Sequence, residues 1–140
     1  MTIIPDASVA VELLLRTPLG ENLARRLKGA TLVAPALIDC EVLAVMRKLV
    51  LGKEIRAERA AAGLDLSLWP VRRLAAAALL REAWSLRHNV NAYDAFYVAA
   101  ARLYQAQLLT ADVPSPERHG WGLSSRTCAC TRKPTVMTMV

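Results

Sequence analysis

The sequence predicts an α/β fold, a three-layer αβα sandwich around a mostly parallel central sheet. Three observations predict it. Short runs rich in Ile, Val, Leu and Thr alternate with longer helix-patterned segments, and strands separated by helices pair in parallel through right-handed crossovers. The 140 residues make one domain, long enough to bury roughly two-thirds of its unfolded surface without staples. A hydrophobic fraction of 54% against 21% charged describes a globular chain rather than a disordered one.

The elements follow in order. Thr2 to Pro5 is a short strand that ends at Asp6, with Pro5 at a strand end, where its missing N–H is tolerated. The run from Ala7 to Leu15 is a short helix. Pro18 opens a second helix through Lys28, with Leu23 and Leu27 on one face and Gly29 as its stop. Residues 31–34 form the second strand. Pro35 then opens a long helix over about residues 36–51, closed by Gly52, in which Leu37, Cys40, Leu43, Ala44, Met46 and Val50 make a broad apolar surface; Cys40 is expected to be a small buried hydrophobe. A helix over 54–63 puts Arg56, Glu58 and Arg59 on its wet side. Leu66 to Arg72 is a strand candidate interrupted by Pro70. Residues 74–87 are helical, Asn89 to Asn91 break the pattern, and a further helix runs to Tyr104. Gln107 to Thr110 is the next strand, ending at Ala111 and Asp112.

Residues 1–112 therefore carry the regular core, and 113–140 differ. This tail holds three of the seven prolines and no periodic apolar face. After Glu117 it contains no acid, only the bases Arg118, Arg126, Arg132 and Lys133 with His119. It reads as irregular, with Val136 to Val140 as a candidate edge strand.

Composition narrows the function. The chain carries 18 Lys and Arg against 12 Asp and Glu, a net charge of +6, which favours a polyanionic partner such as nucleic acid. No apolar run approaches the ~20 residues that span a bilayer, and MTIIPDAS has no signal-peptide character; a cytoplasmic location is the expectation. Of three cysteines, Cys128 and Cys130 form a C-x-C, too few ligands for a zinc site.

The chemistry-bearing residues are four acids. Ligands in open α/β sheets bind beyond the carboxyl ends of strands. Asp6 and Asp112 stand just after strands, and Glu41 and Asp94 stand near helix starts, so all four are expected at one edge. Each has a plainer reading: Asp6 and Asp94 as helix caps, Glu41 as a partner of its helix dipole, Asp112 as a turn former. Together the plainer readings weaken, because clustered carboxylates repel unless a cation neutralises them. An oxygen-only donor set suits Mg2+ or Mn2+, and His88 and His119 are isolated. Ser8, two residues after Asp6, can hydrogen-bond a carboxylate or serve only as a first-turn helix residue.

These residues resemble the PIN-domain ribonucleases, and more narrowly the VapC toxins of bacterial type II toxin–antitoxin pairs. The likeness rests on Ile3-Ile4-Pro5-Asp6-Ala7-Ser8, Pro35-Ala36-Leu37 leading to Glu41, Tyr93-Asp94-Ala95-Phe96-Tyr97-Val98-Ala99, and Leu108-Leu109-Thr110-Ala111-Asp112. The resemblance implies a metal-dependent endoribonuclease that cuts structured RNA, often transfer or ribosomal RNA. It implies Asp6, Glu41, Asp94 and Asp112 as the Mg2+ or Mn2+ site, with Ser8 as an auxiliary polar group. It also implies a homodimer neutralised by a VapB-like antitoxin. Arg16, Arg47, Lys48, Arg72, Arg73 and Arg87 are candidates for a basic rim facing RNA phosphates. After Asp112, Val113-Pro114-Ser115-Pro116 departs from the family's pattern by interrupting any helix.

Rival chemistries fit less well. A haloacid-dehalogenase phosphatase needs D-x-D where this chain has Asp6-Ala7-Ser8, and a receiver domain needs a paired acid and a late lysine. A catalytically weak or inactive PIN-fold module that binds RNA or protein is the alternative, since fold does not fix function.

Overall fold

A computed structural model describes residues 1–65 and 69–111, and the backbone of 136–138. Asp112, the C-x-C cysteines, His119 and residues 66–68 lie outside the described residues. The order is β1 (Thr2–Pro5), α1 (Ala7–Leu14), α2 (Pro18–Arg26), β2 (Thr31–Pro35), α3 (Ile38–Leu51), α4 (Ala57–Gly63), β3 (Val71–Leu74), α5 (Ala76–Ser85), α6 (Ala92–Leu103), β4 (Gln107–Thr110) and β5 (Val136–Thr138). The five strands form one sheet in the order β3-β2-β1-β4-β5, and every neighbouring pair is parallel. β5, within the stretch read as an edge strand, aligns Val136 with Leu108.

From β1 the chain adds strands first on one side, β2 and β3, and then on the other, β4 and β5. The reversal lies between β1 and β4, the place where such sheets open a crevice at their carboxyl edge. Alternation along the strands splits the apolar residues between two faces. Ile4 and its partner Leu108 enter the larger core with Val33, Ile38, Val42, Met46, Leu79, Tyr97 and Ala99. Ile3 and Leu109 enter a smaller core with Val9 and Leu23. Helices thus cover both faces of the central strands, as a parallel sheet requires.

Several boundaries move for local reasons. The long helix begins at Ile38, two residues later than expected. The helix expected from 54 begins at Ala57, because Lys53 takes a left-handed conformation (φ 58°) and Arg56 is extended. Cys40 is exposed rather than buried: α3 buries the Ile38, Val42 and Met46 stripe, which leaves Cys40, Leu43 and Ala44 on the outer face. Among the described residues no helix is long and apolar enough to cross a membrane.

Candidate active site

Asp6 follows β1 directly, and its N–H continues the ladder by donating to Leu109 O at 3.0 Å. Its extended backbone makes it the N-cap of α1. Asp6 Oδ1 accepts from Val9 N at 3.0 Å and from Ser8 Oγ at 2.6 Å. Ser8 Oγ in turn accepts from Ala111 N at 2.9 Å. The serine thus ties the end of β1 to the segment leaving β4, one residue before Asp112. Asp6 is 5% exposed, so the cap reading and the clustered reading hold together.

Glu41 lies in the first turn of α3, which follows β2 and therefore starts at the same edge. Tyr97 reaches it from α6, its hydroxyl donating to Glu41 Oε2. Asp94 lies in the first turn of α6. Only residues 104–106 join α6 to β4, so α6 runs back against the strand and its N-terminus returns to the carboxyl edge. The helix is capped by Asn91, not by Asp94: Asn91 Oδ1 accepts from Asp94 N at 2.9 Å, and Asn91 Nδ2 donates to Asp94 Oδ2 at 2.7 Å.

Three acids from three separate parts of the topology therefore share one edge. Burial holds the Glu41 carboxyl above its ordinary 4.5; the Tyr97 hydrogen bond opposes this, while the charges of Asp6 and Asp94 add to it. Burial likewise raises Asp94 above 3.8, opposed by Asn91 and reinforced by Asp6. Burial and the Glu41 hydrogen bond push the Tyr97 hydroxyl far above its ordinary range, so it stays a neutral donor. Every acid that shifts another here raises it, the signature of uncompensated negative charge.

The donor set suits a hard divalent cation, since it offers carboxylate oxygens without thiol or imidazole; His88 is exposed and isolated. Among the described residues no three acids, imidazoles or thiols are close enough to hold one ion in common. The acids lie within one another's field without forming a ready chelate, and Asp112 falls outside the described residues.

The basic candidates separate. Arg73 is taken up by Asp39, at 3.0 Å, and by the Trp69 ring. Arg72 lies over Tyr104, just past the C-terminus of α6 and so at the end away from Asp94. Arg87 stacks on exposed Trp84, 5.1 Å from the ring centre. Arg16, Arg47 and Lys48 are exposed. Tyr97 is the site residue that the sequence pattern did not single out, although it lies one helical turn after Asp94.

Comparison with known proteins agrees with this geometry. The family model for the PIN domain matches residues 3–113. Ribonuclease VapC12 of Mycobacterium tuberculosis is 38% identical over 119 residues, covering 84% of this chain and 92% of that protein. Ribonuclease VapC1 of the same organism is 42% identical over 88 residues, covering 61% and 66%. VapBC2 from Rickettsia felis, solved with a DNA fragment from its promoter, has a TM-score of 0.56 at 20% identity, covering 80% of this chain and 89% of that one. VapC20 of M. tuberculosis, described as a sarcin-ricin loop cleaving toxin, has a TM-score of 0.53 at 20% identity, covering 77% and 86%. The sheet order, the acids at its carboxyl edge and these matches together show that the chain belongs to the PIN-domain family, as a VapC-type member.

Proposed function

We propose that this protein is a VapC-type endoribonuclease toxin of the cytoplasm, dependent on Mg2+ or Mn2+, that hydrolyses phosphodiester bonds in transfer or ribosomal RNA. The observation that carries the proposal is the gathering of Asp6, Glu41 and Asp94 at one sheet edge, where burial first, and the Asp6 charge after it, raises the Glu41 and Asp94 carboxyls. Carboxylates gathered in this way repel one another, and a divalent cation would offset that repulsion. The names of the relatives, ribonucleases of the VapC type, support the same reading.

Asp6, Glu41 and Asp94 would hold the ion, with Asp112 as the fourth ligand. When bound, such an ion activates water and neutralises charge developing on the phosphate. Ser8 fixes the Asp6 carboxylate, and Asn91 fixes that of Asp94. The net charge of +6 draws the RNA backbone toward an edge that is itself acidic. A VapB-like antitoxin and a second copy of the chain are the proposed protein partners, and exposed Leu43, Leu51, Leu80 and Trp84 give such partners apolar surface to cover.

Incubation with total RNA and Mg2+ or Mn2+, with and without chelator, tests the proposal beside Asp94→Asn. Cleavage by the wild type, its loss with chelator and its loss in the variant are expected. Chelator-insensitive cleavage, or equal cleavage by both proteins, overturns the metal site. No cleavage by either favours a module that only binds.

A further inference from the structure

Tyr97 is 2% exposed and its ring packs in the main core. Packing alone needs no hydroxyl there, because phenylalanine would bury the same ring without a polar atom to satisfy. The hydroxyl nevertheless crosses from α6 to α3 and donates to Glu41 Oε2. Tyr97 and Asp94 are three residues apart on α6, hence on one face. One helix face thus supplies an acid and the donor that orients a second acid 56 positions earlier in the chain. Glu41 Oε1 has no hydrogen bond among the described residues. One oxygen is anchored and the other is left for a ligand.

The same arrangement recurs at the other two acids. Ser8 donates to Asp6, and Asn91 donates to Asp94. Each carboxylate thus accepts from a neutral side chain: Tyr97 for Glu41, Ser8 for Asp6 and Asn91 for Asp94. Neutral donors orient a carboxylate without cancelling the charge that a cation would need.

We infer that Tyr97 is a positioning residue for Glu41: it anchors one carboxylate oxygen on α3 and leaves the other to contribute to the divalent-cation site proposed above. The inference rests on the metal-dependent reading above. Outer partners that orient a ligand contribute about 10- to 100-fold to metal affinity, and a single neutral hydrogen bond belongs at the low end.

The test is Mn2+ binding to the full chain by calorimetry, without RNA. Tyr97→Phe is expected to weaken binding about tenfold while the folded circular-dichroism spectrum is retained. Added to Glu41→Gln, it is expected to weaken binding no further, because the group it orients is no longer a charged ligand. A merely structural tyrosine gives the opposite result: the same factor in both backgrounds. Should Tyr97→Phe loosen the core, 4-aminophenylalanine at position 97 keeps the ring and a donor and restores wild-type affinity. Wild-type affinity in Tyr97→Phe, with the wild type binding Mn2+, overturns this inference alone. No Mn2+ binding by the wild type overturns the metal site and this inference with it.

Discussion

Asp6 and Asp94 both stand at the start of a helix at the same sheet edge, Asp6 as the cap and Asp94 in the first turn, yet they are built in differently. Asp6 is 5% exposed and carries the α1 cap, the Ser8 hydrogen bond and, through Ser8, a tie to Ala111. Asp94 is partly exposed, and Asn91 has taken over its cap. The first carboxylate is part of the scaffold as well as the site. The second serves the fold little, so its burial and its repulsion by Asp6 have no structural return. Glu41 sits with Asp94 in this respect: among the described residues its carboxylate accepts one hydrogen bond, from Tyr97.

This contrast orders the substitutions. Glu41→Gln and Asp94→Asn keep their hydrogen-bond acceptors and lose only charge; both are expected to lower RNA cleavage at least about 100-fold, the upper end of what lesser partners of a metal cost. Neither should destabilise the protein, and a variant that lost cleavage by unfolding would break the comparison. At Asp6 the amide and the alanine should part company. Asp6→Asn keeps the cap, whereas Asp6→Ala removes it at equal charge and is expected to be less stable than Asp6→Asn by about 1–2 kcal/mol in urea unfolding. Equal stabilities would remove Asp6 from the scaffold.

A smaller effect appears in pH dependence. Glu41 and Asp94 have carboxyls raised above 4.5 and 3.8 in the folded state, so the folded protein binds more protons there than the unfolded chain. Stability is therefore greatest below the ordinary values and falls as pH climbs through the raised ones. Metal-free protein is expected to lose stability as pH rises from below the ordinary carboxyl values of 3.8 and 4.5, and Glu41→Gln should flatten the dependence. A flat wild-type profile would mean that the acids do not repel. Smallest is Ser8→Ala, expected to cost about 1 kcal/mol by freeing Ala111 N and one partner of Asp6.

Much of this was legible beforehand. Alternating apolar runs and helix patterns gave the parallel sheet, and acids placed after strands or at helix starts gave its carboxyl edge. The cross-chain hydrogen bonds were not legible. Tyr97 reads as one more aromatic in an apolar helix, and only the packing of α6 on α3 shows where its hydroxyl goes. Cys40 was misread because the pattern around it is apolar on more than one face, and periodicity alone does not say which stripe of α3 turns inward. The cap of α6 also needed coordinates, since Asn91 and Asp94 are both plausible caps by residue type.

The claim that the three acids form one set awaiting a cation is tested most directly by melting temperature against Mn2+ at pH 7, for the wild type and Asp94→Asn. The metal-free variant is expected to melt higher than the metal-free wild type, Mn2+ to raise the wild type, and the variant to respond weakly. A variant that melts no higher and gains as much from Mn2+ as the wild type would contradict that claim.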